Sequence, residues 1–139
     1  MNGNMSLTPR EDRATVLIAD DDEDILDLVR LGLTDHGFET LVARDGAAAL
    51  ALAREHVPDL VLLDVSMPEL DGYQVTTALK SDPATDGIVV ILFTARAAPL
   101  DVEKGFSAGA DDYIVKPFTL RTLQDRVAAA LERKSPAGS

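Results

Sequence analysis

Leu60-Val61-Leu62-Leu63-Asp64-Val65-Ser66-Met67-Pro68-Glu69-Leu70-Asp71-Gly72 is the stretch on which the fold turns. Four consecutive apolar residues suit a strand covered on both faces, and one carboxylate closes the run. The Pro, Asp and Gly that follow force the chain to turn at once. Asp71 can cap the next helix there, and Gly72 can adopt a positive φ. Asp64 therefore stands at the carboxyl end of a buried strand, the edge at which open α/β sheets bind their ligands.

The same change of period recurs on both sides. Val16 to Ala19 is a short apolar strand that stops at Asp20, Asp21, Asp22, Glu23 and Asp24. The last three of these acids suit the positive start of a helix. In that helix Ile25, Leu28, Val29 and Gly32 fall on one stripe, and Gly37 is placed to cap the far end. Phe38 to Ala43 carries Glu39 and Thr40 and reads as the less buried edge of the sheet. Asp45 offers a cap to the alanine-rich helix Ala47 to Glu55, which Pro58 ends before the strand Asp59 to Leu63.

Beyond the turn, Tyr73, Val75, Thr76, Leu79 and Lys80 read as a helix broken at Ser81-Asp82-Pro83. Ile88 to Phe93 is a mostly β-branched strand ending in Thr94 and Ala95, followed by a helix over Pro99 to Ala108 with Gly109 as its stop. Asp112 to Val115 delivers Lys116 and Pro117, and Thr119 caps a last helix with Leu120, Leu123, Val127 and Leu131 on one face. Asp111 and Asp112, at the start of that strand, read as structural. Five strands alternating with five helices predict a doubly wound α/β fold, a parallel sheet with helices on both faces. Residues 14–134 form one domain in this reading, with residues 1–13 and 135–139 as disordered ends.

Composition narrows the function. A chain of 139 residues is long enough for one core of ordinary size. Its net charge of -11 opposes direct binding to nucleic acid or to an anionic membrane. The absence of cysteine excludes disulfides and thiolate metal sites. With no long apolar run or signal-peptide pattern, a cytoplasmic location is expected. His36 and His56 are too few for a histidine-rich metal site and read as polar residues near helix ends.

What remains is the convergence of strand ends. Asp20 and Asp21 follow the first strand, Asp64 the third, Thr94 the fourth and Lys116 the fifth, and a parallel sheet points all of them the same way. Three gathered carboxylates repel one another unless a cation sits among them, and a hard all-oxygen set suits magnesium better than zinc. An ionised aspartate attacks phosphorus without a general base, so Asp64 is the candidate nucleophile. Lys116 and the Thr94 hydroxyl would stabilise the charge of a transferring phosphoryl group.

These residues closely resemble the receiver domain of bacterial two-component response regulators, over roughly Thr15 to Arg133. The resemblance implies a flavodoxin-like sheet of order 2-1-3-4-5. It also implies transfer of a phosphoryl group to Asp64 from a sensor histidine kinase, a phosphotransfer protein or a small phosphodonor. The domain would be a signalling phosphoacceptor that assists its own phosphorylation and dephosphorylation, and not an enzyme acting on a separate substrate. By the family pattern Asp21 and Asp64 bind Mg2+ directly, Asp20 acts largely through water, and Ser66 contributes its backbone carbonyl. Thr94 bonds the phosphoryl group and moves toward it, Tyr113 turns inward in response, Lys116 pairs with the group, and Ala95 keeps the approach open. The Lys116–Pro117 bond is usually cis.

By the same resemblance Ser66 and Arg96 occupy two positions that tune phosphoryl lifetime in the family, with Arg96 either reaching over the phosphoryl group or lying in solvent. The family's output face is the fourth helix, fifth strand and fifth helix, here about Pro99 to Arg133, which forms a homodimer or meets a different protein. A short tail after Arg133 fits either a stand-alone receiver or a piece of a larger regulator or hybrid kinase. The rival from another class is a haloacid-dehalogenase-type phosphatase, for which Asp20 and Asp22 supply an Asp-x-Asp spacing. Asp24 stands where that pattern has threonine or valine, and the chain lacks length for a cap that excludes water. A constitutive interaction module is opposed by the presence of every acceptor-site residue.

Overall fold

The apolar runs become strands because each must be covered on two faces. The computed structural model describes residues 13–134, and among these five strands and five helices alternate. They are β1 (Thr15–Ala19), α1 (Glu23–Asp35), β2 (Glu39–Ala43), α2 (Gly46–His56), β3 (Leu60–Leu63), α3 (Gly72–Lys80), β4 (Val89–Thr94), α4 (Pro99–Ala108), β5 (Asp112–Val115) and α5 (Leu120–Lys134). All pairings are parallel, in the order β2-β1-β3-β4-β5. The doubly wound, flavodoxin-like reading is what the structure has. The ends expected to be disordered lie outside the described residues, apart from Arg13, whose guanidinium donates to Glu39 at 3.3 Å.

Alternate strand residues feed two cores. Leu17, Ala19, Val61, Leu63, Val90 and Leu92 pack under α2 and α3, while Val16, Ile18, Leu60, Leu62, Ile91 and Phe93 pack under α1 and α5. β3 and β4 are buried along their whole lengths, which is why they read as unbroken apolar runs. β2 is only half-buried and lies at an edge, as its polar residues predict.

Local chemistry sets the helix ends. Asp22, Asp45 and Asp71 cap α1, α2 and α3 with their carboxylates, Asp71 in a reciprocal capping box with Gln74. Gly37 and Gly109 follow α1 and α4 at φ values of 96° and 111°. Thr119 accepts from the Thr122 amide at the start of α5.

Two expectations are corrected. Leu28 does not face the core: the buried residues of α1 are Leu26, Val29, Gly32 and Leu33, and Leu28 is exposed. The stripe through positions 26, 29 and 33 keeps helical spacing, so the error was one of phase. Gly72, in turn, is not among the described glycines with positive φ. It is required by space, since a Cβ there would lie 2.6 Å from the Asp64 carbonyl oxygen and 2.9 Å from Val65 Cα.

Candidate functional site

The register of the sheet carries the polar strand ends to one edge. Ala19 pairs with Leu63, so Asp20 and Asp64 leave adjacent strands side by side, and the Asp64 amide donates to the Ala19 carbonyl at 2.9 Å. Thr94 pairs with Val115, and the Lys116 amide donates to the Thr94 carbonyl at 2.8 Å. The Lys116–Pro117 bond is cis.

Asp20, Asp21 and Asp64 each offer a carboxylate oxygen, and these oxygens all lie within 4.8 Å of one another. Asp20 and Asp64 are buried while Asp21 is exposed, so the cluster opens to solvent on one side. Both oxygens of Asp20 are occupied: Oδ1 accepts from the Asp22 amide at 2.9 Å and Oδ2 from the Lys116 ammonium at 2.7 Å. Lys116 also lies 3.8 Å from Asp64 Oδ2, with its ammonium 4.9 Å from the centre of the buried Phe93 ring. Burial pushes the Asp64 carboxyl above its ordinary range. Lys116 opposes that shift, the neighbouring Asp20 charge adds to it, and the Thr94 hydroxyl and Ser66 amide oppose it. An anionic, partly buried oxygen cluster with one ammonium beside it is a set of donors that fits a hard divalent cation.

Around this cluster, Thr94 is buried and its hydroxyl accepts from the Arg96 amide at 3.3 Å. Ala95 is exposed at the mouth. Arg96 is more than half exposed, and its Nε donates to Ser66 Oγ at 3.1 Å while its Nη1 lies 3.9 Å from Asp101. It thus bridges the loop after β3 to the loop after β4.

Tyr113 is already inside, with 7% of its surface exposed and its hydroxyl donating to the Arg96 carbonyl at 2.8 Å. Burial and the neighbouring Tyr73 raise its phenol above the usual range. Asp111 and Asp112 are structural as read: Asp111 accepts from Lys80 and the Val90 amide, and Asp112 takes two bonds from Arg126.

Three residues near the site escaped sequence reasoning. Phe93 reads only as a strand residue, Tyr73 only as a helix residue, and Gly46 falls unread between the Asp45 cap and the helix begun at Ala47. Gly46 packs directly on the loop that follows β3, since a Cβ there would fall 1.8 Å from the Leu70 carbonyl oxygen. The turn signals around Asp45 could have flagged Gly46, whereas nothing local marks the others.

The family model described as response regulator receiver domain matches residues 16–128. The transcriptional regulatory protein PrrA of Mycobacterium tuberculosis is 46% identical over 119 residues, which cover 86% of this chain and 50% of that protein. The DNA-binding response regulator MtrA of Mycolicibacterium smegmatis is 40% identical over 121 residues, covering 87% and 52% respectively. The chain thus spans about half the length of the curated relatives it matches. A putative response regulator from Chloroflexus aurantiacus J-10-fl has a crystal structure that matches with a TM-score of 0.83 at 34% identity, over 87% of this chain and 99% of that one.

Proposed function

Because the chain belongs to the response regulator receiver domain family, we propose that Asp64 is its phosphoacceptor, served by Asp20, Asp21, Thr94 and Lys116. The observation that carries this reading is the meeting of three carboxylates and one ammonium, from three separate strand ends, around the mouth of β3. Asp20, Asp21 and Asp64, with the Ser66 carbonyl, would hold a magnesium ion, whose charge when bound offsets that of the carboxylates and of the incoming phosphoryl group. Asp20, whose oxygens also hold the Asp22 amide and the Lys116 ammonium, would act on the ion largely through water.

A carboxylate oxygen of Asp64 forms the new O–P bond while the P–N bond to the donor's imidazole breaks, and the imidazole leaves with the electron pair. Lys116 moves from Asp20 toward the phosphoryl oxygens, and Thr94 gives its hydroxyl proton to one of them in a hydrogen bond. Ala95, small and exposed, leaves the line of attack clear. Tyr113 is the switch aromatic, and its bond to the Arg96 carbonyl is the contact through which movement of Thr94 reaches α4.

The donor is a sensor histidine kinase or phosphotransfer protein, and the compartment the cytoplasm. Among the described residues no helix is long and apolar enough to cross a membrane. The output face is α4, β5 and α5, where Leu100, Phe106 and Val115 are exposed, and a homodimer is its proposed use. The sequence argument against nucleic acid rests on the charge of these 139 residues. It does not extend to longer relatives, one of which is named as DNA-binding and is matched over only 52% of its length.

Acetyl phosphate with magnesium tests the signalling reading against a phosphatase. Incorporation that stops at one phosphoryl group per chain, without turnover of p-nitrophenyl phosphate, is expected. Sustained turnover of that ester would overturn it.

A further inference from the structure

Helix α4 is lightly anchored. Among its described residues Gly105 alone is buried, Leu100 is 77% exposed, and Ala98 provides no side-chain cap. Val102 is its one half-buried apolar side chain packed on the core, so a few specific contacts weigh heavily in setting its position. The backbone of Gly105 sits directly on Tyr113, since a Cβ there would lie 2.9 Å from the ring. On the side facing α3, the hydroxyl of buried Tyr73 donates to the Asp101 carbonyl in the first turn of α4 at 3.0 Å. The Lys104 ammonium, one turn on, lies 4.7 Å from the centre of the Tyr73 ring.

These contacts close a circuit. Ser66 in the acceptor loop bonds Arg96, Arg96 faces the Asp101 carboxylate, and the Asp101 carbonyl accepts from Tyr73. Tyr73 is the second residue of α3, directly after Gly72, whose amide closes the same acceptor loop onto the Val65 carbonyl at 2.9 Å. Any displacement of Arg96 caused at the acceptor site must then work against a tie that starts from the far end of that loop.

We infer that Tyr73 is a positioning residue that holds the first turn of α4 in its resting place and sets how readily the acceptor loop can move it. This deepens the phosphoacceptor reading and rests on it for the coupling. The Tyr73→Phe variant keeps the ring and its cation contact and removes the hydroxyl, with its bond to the Asp101 carbonyl and its interaction with the Tyr113 side chain. In the unphosphorylated, magnesium-free protein, amide exchange over residues 101–106 should rise about three- to tenfold, the range that one lost hydrogen bond gives, while α1 and α5 amides stay at parent rates. With acetyl phosphate and magnesium, the change in α4 exchange should be smaller in the variant than in the parent, because the variant starts nearer the released state. Unchanged α4 exchange, or equal acceleration in every helix, would overturn the inference. Failure of the parent to label at Asp64 would overturn the coupling together with the phosphoacceptor reading, while exchange in the unphosphorylated protein still decides the positioning role.

Discussion

The Lys116 ammonium lies 2.7 Å from Oδ2 of Asp20, a residue only 1% exposed, and so pairs the end of β5 with the end of β1. Unpartnered, that buried carboxylate would be expensive. Lys116→Met should therefore lower stability in metal-free buffer by about 3 kcal/mol, read from urea denaturation. Millimolar magnesium should recover part of the loss, because a ligand that binds only the folded chain stabilises it. A variant as stable as the parent without metal would mean that the pair contributes nothing.

Gly46 bears on the acceptor loop through space alone. A methyl group 1.8 Å from the Leu70 carbonyl oxygen must push backbone against backbone. Gly46→Ala should cost about 2 kcal/mol, a usual figure for overpacking, and should weaken magnesium binding measured by calorimetry. Wild-type stability and affinity together would show that the loop yields without consequence.

Val57 holds a left-handed conformation, φ 43° and ψ 64°, at the end of α2, where a β-branched residue is strained. It is 51% exposed, so little packing is lost on replacement. Val57→Asn should raise the thermal midpoint, corresponding to about 1 kcal/mol. A fall would place the packing of Val57 above its strain.

Asp112 supplies the pH dependence. Burial, the largest single influence, raises its pKa, but the hydrogen bond from Arg126, the Tyr113 amide and the charges of Arg126 and Arg133 together hold it below the ordinary value. A carboxyl depressed in the folded state binds fewer protons there than in the unfolded chain, so its contribution is complete above about pH 4 and lost as the pH falls through the folded value. Asp112→Asn should cost about 1 kcal/mol at pH 7, given that Arg126 is partly exposed, and the gap should close on acidification. A gap that is independent of pH would assign the cost to packing.

The sheet was legible because a strand buried on two faces leaves an unmistakable run: β5 was located from residue types alone, and the other strands to within one residue at each end. The acidic cluster was legible because a parallel sheet carries the ends of β1 and β3 to one edge, while the strand order that sets them side by side came only with the family resemblance. The phase of α1 was not, because Leu26 and Leu28 are equally apolar and only packing against the sheet chooses between them. The Arg96–Ser66 bridge joins positions 30 apart through two loops whose approach no local pattern encodes. Gly72 was read as a turn residue when its lack of a Cβ serves the approach of α3 to Asp64, a demand set by tertiary contact.

Asp64 is proposed as the one residue that accepts the phosphoryl group. Intact mass after incubation with acetyl phosphate and magnesium, on the parent and on Asp64→Asn, tests it most directly. One phosphoryl group on the parent, mapped to the peptide containing Asp64 and absent from the variant, is the predicted result. An unchanged parent mass, or a variant that takes up the label equally well, would contradict it.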